Sequence, residues 1–292
     1  MHDISVLVSP PNVSLAWRVT DWPAMPRQLI IDSGAFQYHR EGRNPTAQEV
    51  LDRQLRILQG SGEGSRQSGL PLPTGICHLD IPMLGTRDPA ELQRRVRASL
   101  ANAHWLKNNV KERGLPENVQ PIGVIQGYSV ESVYDAALVL EDMGYNWFAL
   151  GSLAGMVAHS SQELLRRVEA AMEAVGSNIH VLGVSSVRIL PQLASLGVKS
   201  VDSGAPIREA WTGGVFYSRP FRRFKISNAH FKEWSRTYGF AELLKEPLPC
   251  DCPVCQDDSS AIMRQDGKRY VNLRALHNCY HIARELASQP TP

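Results

Sequence analysis

Short apolar runs alternate with helix-like segments over most of the chain, and this alternation limits the possible folds more than any other feature. Seven runs fit buried strands because they are almost continuously apolar, as strands covered on both faces tend to be. They are residues 4–8, 28–32, 75–80, 121–126, 146–151, 179–184 and 199–204, with a weaker eighth run at 15–19. Repeated alternation of strands and helices predicts a parallel sheet.

Capping signals place helices between these strands. Asn44 and Asp88 are each followed by proline, which suits the first position of a helix, so a helix is expected after each of them. Two further segments open with serine and close at Gly144 and Gly176, matching the residues preferred at the two ends of a helix.

These elements predict an α/β fold, specifically a (β/α)8 TIM barrel, which typically takes about 250 residues. An open doubly wound sheet is the alternative. No glycine-rich phosphate motif follows the first strands, which disfavours that alternative. The alternation stops near residue 246, so the expected organisation is a catalytic barrel over 1–245 and a small subdomain over 246–292.

The composition excludes several classes of protein. Hydrophobic residues make up 43% of the 292 residues, enough for a large buried core. The net charge of +2 means that binding to a polyanion would depend on local basic patches. The N-terminus lacks the pattern of a signal peptide, no run approaches the ~20 apolar residues of a membrane span, and the cysteines are odd in number and clustered. A cytoplasmic protein with no membrane association is therefore expected.

Three of the five cysteines fall within residues 250–255, in the spacing C-x-C-x-x-C. Cys250, Cys252, Cys255 and a following histidine would form a closed tetrahedral zinc site, which leaves no position for water and is therefore structural. His277 is the preferred fourth ligand, and Cys279 and His281 are alternatives. Free thiols in a surface loop are the other interpretation, although exposed clustered thiols would be a redox liability.

Polar residues stand where several predicted strands end. Asp32, Asp80, Gln126 and Asp202 occupy such positions, and a Gly-Ser-Leu sequence ends the strand at 146–151. In a barrel, the carboxyl ends of the strands form the active site. Such an aspartate can instead cap the next helix, which suits Asp80 best. Asp32 and Asp202 are each followed by Ser-Gly, which lets the backbone approach a ligand closely, so the set predicts a binding pocket.

The ordered motifs DSGAFQ, VIQG, LGSLA and VDSGAP, followed by C-x-C-x-x-C and a histidine, resemble the tRNA-guanine transglycosylase superfamily. The resemblance extends from about residue 28 to 285. It implies a covalent intermediate between an aspartate and the C1′ atom of a nucleic-acid ribose, with guanine leaving and a 7-deazaguanine base replacing it. No redox cofactor is implied.

Carried over motif by motif, the resemblance assigns roles to individual residues. Asp202 corresponds to the nucleophile and Asp32 to the general acid and base. The groups implied in binding the base are Ser33, Asp80, Gln126, Gly127, Gly151, Ser152 and Leu153.

Three departures from the family pattern concern the polymer. DSGGFQ reads DSGAFQ here, VQGG reads VIQGY, and the Leu-Pro-Thr-Arg loop that contacts the tRNA anticodon reads GAPIREAWTGGVFYS. The chemistry residues persist while the nucleic-acid-reading residues differ, as in the related DNA-guanine transglycosylases that insert bases such as preQ0. DNA is therefore the expected polymer. A tRNA enzyme and a non-catalytic zinc-containing nucleic-acid-binding subunit are the alternatives, and a homodimer or partner proteins are possible.

A basic segment, FYSRPFRRFK at 216–225, follows the expected nucleophile and interleaves four cationic with four aromatic residues. The arginines could neutralise phosphates while the aromatic rings stack on unpaired bases. A solvated basic loop with aromatic residues in the core is the alternative. The predicted nucleic-acid contacts are Arg208, Arg219, Arg222 and Arg223. A second basic run, containing Arg94, Arg95 and Arg97, is interpreted as an exposed helix face.

Overall fold

The computed structural model describes residues 5–14, 26–58, 73–156, 160–184, 186, 189–226 and 242–287. The chain forms two compact units, one of Met1–Gly183 with Val198–Asp202, the other of Val184–Gly197 with Ser203–Pro292. The expected boundary between residues 245 and 246 falls inside the second unit. A separate metal-binding domain over 246–292 stays a prediction.

Among the described residues, the first unit contains a seven-stranded parallel sheet whose strand order follows the chain order. The strands are β1 (Val6–Val8), β2 (Leu29–Ile31), β3 (Thr74–Cys77), β4 (Val119–Ile125), β5 (Phe148–Leu150), β6 (Ile179–Val181) and β7 (Ser200–Val201). Sequential parallel order with intervening helices is the arrangement of a βα barrel, so the predicted α/β fold class is confirmed. The doubtful eighth strand at 15–19 lies outside the described residues.

The described helices of this unit are α1 (Ala35–Arg40), α2 (Ala47–Leu58), α3 (Pro89–Asn109), α4 (Val130–Asp142) and α5 (Ser161–Val175). Asp88 caps α3 as predicted, because its side chain accepts a hydrogen bond from the N–H of Ala90. The expected start after Asn44 is wrong. Thr46 and Glu49 form reciprocal side-chain to backbone bonds, and this capping box begins the helix two residues later.

Alternate residues of the strands enter two different apolar layers. Leu29 and Ile31 pack with Ile76 and residues of α2, whereas Ile30 and Cys77 pack with Trp147 on the opposite face. Successive side chains of a strand point to opposite faces, so burial on both faces explains the continuously apolar runs. The observed strands end up to three residues before the predicted ones, which places the polar residues just beyond the carboxyl ends.

The second unit combines a small sheet with helices. The hairpin of β8 (Gly214–Tyr217) and β9 (Arg222–Lys225) is antiparallel, and β10 (Glu242–Leu243) pairs with β9 in parallel. The helices among the described residues of this unit are α6 (Leu190–Ser195), α7 (Ala205–Trp211), α8 (Pro253–Asp258) and α9 (Lys268–Ala287). Asn278 of α9 accepts from the N–H of Phe216 and donates to the carbonyl of Gly214, which attaches the hairpin to that helix.

The segment at 216–225 is therefore a hairpin rather than a loop, and its aromatic residues differ from the expectation. Phe216, Tyr217 and Phe224 are buried, with Tyr217 and Phe224 packed against Ile262. The prediction that these three rings stack on unpaired bases is therefore wrong, because the core of the unit already covers them. In the ranges that the structure covers, no helix combines the length and the apolar character needed to cross a membrane.

Candidate active site and metal centre

Four side chains just beyond the ends of β2, β3, β4 and β5 form one continuous hydrogen-bonded chain. Ser33 donates to Oδ1 of Asp80 over 2.8 Å, and Gln126 donates from Nε2 to Oδ2 of the same carboxylate over 2.6 Å. Ser152 donates to Oε1 of Gln126 over 2.7 Å. Ser33, Asp80 and Gln126 are buried. The structure thus brings together four residues that the sequence analysis predicted to bind the base.

The backbone next to Gln126 leaves no room for a side chain at two glycines. A Cβ atom on Gly151 would stand 2.4 Å from Nε2 of Gln126, and one on Gly127 would stand 2.6 Å from the backbone nitrogen of Val133. Ser152 adopts a positive φ of 60°, which is uncommon for a residue other than glycine and typical of functional sites. Gly151 therefore lets the Gln126 side chain lie against the backbone, and Gly127 lets the first turn of α4 approach closely.

Leu153 contributes apolar packing to this edge. Its side chain is buried, and its carbonyl accepts from the N–H of Met156. The N–H of Gly151 donates to the carbonyl of Ile125. These backbone groups are thus already bonded within the protein, and a role of the Gly151–Leu153 backbone in binding a base stays a prediction.

Asp32 lies directly after β2 and is partly exposed. Its Oδ2 accepts from the N–H of Gly34 and faces the hydroxyl of Ser9. Burial, with a smaller effect of the negative charge of Asp80, raises the pKa of Asp32 to about 7. Burial also raises the pKa of Asp80. A carboxyl group with a pKa near 7 can both give and take a proton at neutral pH, which suits a general acid and base.

Asp202 lies directly after β7, and its carboxylate is held on one side only. Its Oδ1 accepts from the N–H of Gly183 over 2.7 Å and lies 3.3 Å from Nε2 of His180. Across the described ranges, no donor is hydrogen-bonded to Oδ2. That oxygen is therefore the one available for attack on a ligand.

His180 was missed by the sequence analysis. It lies in the apolar strand β6, is buried, and its Nδ1 is 2.8 Å from the hydroxyl of Ser200. If the Ser200 hydroxyl donates to Nδ1, the neutral ring carries its proton on Nε2, facing Asp202. A polar residue inside an otherwise apolar run was the available signal, because a buried imidazole needs partners.

The cysteine cluster forms in the second unit. Cys250, Cys252, Cys255 and His277 bring four ligand atoms within 4.8 Å of one another. Nε2 of His277 lies 2.8 Å from the carbonyl of Phe216. Because a carbonyl can only accept, Nε2 carries the proton and Nδ1 presents its lone pair to the three sulfur atoms, as in metal-binding histidines. This donor set fits a tetrahedral metal ion.

The two alternative ligands occupy different positions. Nε2 of His281 lies 3.1 Å from Sγ of Cys250, and its Nδ1 accepts from the N–H of Ser218. Cys279 is not among the four clustered residues. The geometry therefore favours His277 as the fourth ligand, with His281 as a neighbour of one thiol.

The predicted nucleic-acid contacts differ in their surroundings. Arg208 and Arg219 are exposed. Arg222 forms an ion pair with Glu242 and lies over the ring of Phe224, whereas Arg223 forms a 2.6 Å bond to Glu209. Nucleic-acid binding by these four arginines stays a prediction. To contact a phosphate, Arg222 and Arg223 would have to bind it in addition to, or in place of, their present glutamate partners.

The chain is similar to a family of known proteins. A family model described as queuine tRNA-ribosyltransferase matches residues 74–288. The queuine tRNA-ribosyltransferase of Clostridium tetani is 26% identical over 280 residues, which cover 87% of this chain and 69% of the relative. The corresponding protein of Syntrophobacter fumaroxidans is 25% identical over 248 residues, covering 82% and 62%.

A third relative carries a different name. The tRNA-guanine(15) transglycosylase of Sulfolobus acidocaldarius is 24% identical over 265 residues, covering 88% of this chain and 46% of the relative. The chain thus spans between 46% and 69% of the length of these three curated relatives.

Proposed function

The chain belongs to the queuine tRNA-ribosyltransferase family, and from this premise we propose that it exchanges a guanine in a nucleic acid for a 7-deazaguanine base such as preQ0. The observation that carries the proposal is the pair of carboxylates, Asp32 and Asp202, beside the Asp80–Gln126 network. A non-catalytic binding subunit would not need both. A cytoplasmic location and association with a second copy or partner proteins remain predictions.

The proposed reaction proceeds in two displacements. Oδ2 of Asp202 attacks the ribose C1′ atom, the bond from C1′ to the purine nitrogen breaks, and Asp32 donates a proton to the departing guanine. The incoming base then gives a proton to Asp32, its nitrogen attacks C1′, and the carboxylate of Asp202 is released. One proton moves in each direction, so Asp32 returns to its starting state. A pKa of about 7 suits both transfers.

The hydrogen-bonding capacity left in the network suits a guanine-like edge. The two oxygens of Asp80 accept from Ser33 and from Gln126, and a carboxylate has about four lone-pair sites, so it retains capacity to accept from a ligand. Nε2 of Gln126 uses one of its two hydrogens on Asp80, so the other can donate. Guanine presents an N–H, an amino group and a carbonyl oxygen along one edge, which need two acceptors and one donor.

The polymer is proposed to be tRNA, because the named relatives act on tRNA. DNA, which the sequence analysis favoured, is the second candidate. The observation in its favour is the segment after Asp202, where Ala205 and Ile207 replace the leucine and threonine of Leu-Pro-Thr-Arg, while the proline and arginine are kept. In either polymer the target base must leave the stack to reach a site at the end of a sheet.

The test is an exchange assay with labelled bases and three polymers. The protein is incubated with radiolabelled guanine or preQ0 and, separately, with bulk tRNA, duplex DNA and single-stranded DNA, and the label retained in the polymer is counted. Label in tRNA alone supports the proposal, and label in DNA alone selects the second candidate. If no polymer is labelled while nucleic acid still binds, the non-catalytic alternative replaces both.

The metal ion is proposed to be zinc with a structural role. The three thiolates of Cys250, Cys252 and Cys255 with the imidazole of His277 would complete its four ligands, and bound zinc would stabilise this part of the second unit without taking part in the reaction. Elemental analysis is expected to give about one zinc per chain.

Replacing Cys252 by serine is expected to lower stability strongly. A structural zinc site in a peptide contributes ~10–16 kcal/mol, so loss of one of four ligands is expected to lower the free energy of unfolding by about 3 kcal/mol. Cys252 is fully buried among the ligands. Cys279→Ser, outside the cluster, is the matched control. Equal melting temperatures and equal zinc contents for the two variants would exclude the metal site.

Replacing Arg222 and Arg223 together by alanine is expected to weaken polymer binding and reduce its salt dependence. Each arginine that no longer neutralises a phosphate lowers the slope of log affinity against log salt by ~1. The drop is expected to lie between ~1 and ~2, because both arginines already hold acidic partners. Binding of the free base should be unchanged, since it carries no phosphate. Arg94→Ala with Arg166→Ala removes two other paired arginines as a control. An unchanged slope would place the polymer elsewhere.

A further inference from the structure

A six-residue sequence occurs twice in the first unit with one difference, as ELQRRV at 91–96 and ELLRRV at 163–168. Each copy lies in the first turns of a helix, α3 or α5, with its glutamate at the third helical position. In both copies the first arginine is exposed and the second is largely covered. The side chains of Arg94 and Arg166 are 67% and 65% exposed, those of Arg95 and Arg167 only 13%.

In α3, the covered arginine bonds to a glutamate and to two backbone carbonyls. Nε of Arg95 donates to Glu91 over 2.8 Å, while one terminal nitrogen donates to the carbonyls of Pro82 and Leu84 over 2.8 and 2.6 Å. These carbonyls belong to the loop that follows Asp80. The interpretation of Arg95 as part of an exposed helix face is therefore wrong, although Arg94 fits it.

In α5, the second copy makes the same contacts with a different loop. Nε of Arg167 donates to Glu163 over 3.1 Å, and its terminal nitrogens donate to the carbonyls of Gly127 and Tyr128 over 3.2 and 2.6 Å. These two residues directly follow Gln126. Both helices thus use an arginine, oriented by its own glutamate, to hold the loop beyond a neighbouring strand.

The two held loops meet in the hydrogen-bonded network. Met83, between the carbonyls that Arg95 binds, donates its N–H to the hydroxyl of Ser152 over 2.9 Å. Ser152 in turn donates to Gln126, and Gln126 precedes the carbonyls that Arg167 binds. Displacement of the first loop would therefore move a partner of Ser152, and displacement of the second would move Gln126 itself.

We propose that Arg95 and Arg167 are a pair of positioning residues that fix the loops carrying Asp80 and Gln126 in the geometry needed to bind the base. The part of this proposal that concerns binding of the base rests on the proposed function. An arginine suits this task because its planar guanidinium has five N–H groups in a fixed arrangement, enough for a carboxylate and two carbonyls together. A lysine has one nitrogen and cannot reach all three.

The first measurement is hydrogen exchange of the two loops. Arg95→Ala is expected to speed exchange in peptides covering 81–84, and Arg167→Ala in peptides covering 126–128, each by about 10-fold and each beyond any change elsewhere in the sheet. The matched controls, Arg94→Ala and Arg166→Ala, remove the neighbouring arginine bonded to the same glutamate and are expected to leave both loops unchanged. Equal exchange in all four variants would overturn the proposal.

The second measurement is the dissociation constant of free guanine, taken well below the melting temperature of each variant. Arg95→Ala and Arg167→Ala are each expected to weaken guanine binding about 10-fold, because small displacements of binding groups have large effects. The controls should stay within about two-fold. Arg95→Lys and Arg167→Lys, which keep the charge, are expected to weaken guanine binding about three-fold. These lysine variants replace the alanine variants in the test if an alanine variant does not fold.

The outcomes separate this inference from the proposed function. If the wild-type protein binds guanine and the variants bind it equally well, the positioning role is excluded while the function stands. If the wild-type protein does not bind guanine, the proposed function fails. The hydrogen-exchange measurement alone then decides whether the arginines hold the loops.

Discussion

Replacing Asp202 by asparagine is expected to abolish base exchange, with a fall of at least about 10⁴-fold in rate. An amide keeps the shape and the bonds to Gly183 and His180, but it cannot form the covalent ester with C1′. No label should enter any polymer, and no protein–nucleic acid adduct should survive denaturation. Free guanine should still bind, because the Asp80–Gln126 network is intact.

The control for Asp202→Asn is Asp135→Asn, which removes an exposed carboxylate on α4 and should leave the rate unchanged. Asp202→Ala is a second variant, since an asparagine before Ser203 can deamidate back to aspartate. Substantial exchange by the alanine variant would remove Asp202 from the role of nucleophile. A denaturation-resistant adduct with that variant would do the same.

Replacing Asp32 by asparagine is expected to slow exchange by about 10²–10⁴-fold, the contribution typical of a general acid and base. The wild-type rate should depend on an ionisation near neutral pH, because burial and the charge of Asp80 raise the pKa of Asp32 to about 7. The variant should lose that ionisation and retain an adduct with Asp202. A pH–rate profile from pH 5 to 9 checks both, and an unchanged profile would assign the ionisation to another group.

Asp32→Asn is expected to raise the stability of the folded protein at pH 8, although it slows base exchange. The folded protein binds a proton at Asp32 up to a pH of about 7, whereas the unfolded chain releases it near 3.8. Between these values the folded state holds more protons, so this group contributes stability at low pH that is lost as pH rises toward 7. Asp32→Asn should therefore match the wild-type stability near pH 4 and exceed it at pH 8. Denaturant titrations at the two pH values measure the difference.

The part of the candidate site that could be predicted from the sequence consists of polar residues at the ends of predicted strands. Asp80 and Gln126 follow apolar runs that fit buried strands, and parallel strands place their carboxyl ends at one edge. Their mutual hydrogen bond follows from that placement. The capping alternative for Asp80 is wrong in the structure, since its carboxylate bonds Ser33 and Gln126 rather than a helix N-terminus. The exact start of α2 could not be predicted in this way. Asn44 followed by proline and Thr46 followed by Glu49 are equally good capping signals, and only the structure shows that Thr46 is the cap.

Residues that act through long side chains were not predictable in the same way. Arg95 and Arg94 are neighbours with the same chemistry, and only the direction of each side chain on the helix decides which one reaches the loop. His180 was hidden by its apolar neighbours in β6. Phe216 and Tyr217 were predicted to stack on bases because they alternate with arginines, yet packing of the hairpin on α9 places both in the core. Such outcomes depend on tertiary contacts that composition and periodicity do not specify.

The hydrogen bonds of the site join distant parts of the chain, and this determines when the site can exist. The partners Ser33–Asp80 and Asp80–Gln126 are 47 and 46 positions apart, and Gln126–Ser152 are 26 apart. Closing such loops costs entropy that is regained only when the strands between them have paired. A fragment that ends before β5 therefore lacks at least one member of this network. We therefore expect the geometry of this network to form only after β2 to β5 have paired, and to be lost when any one of these strands detaches.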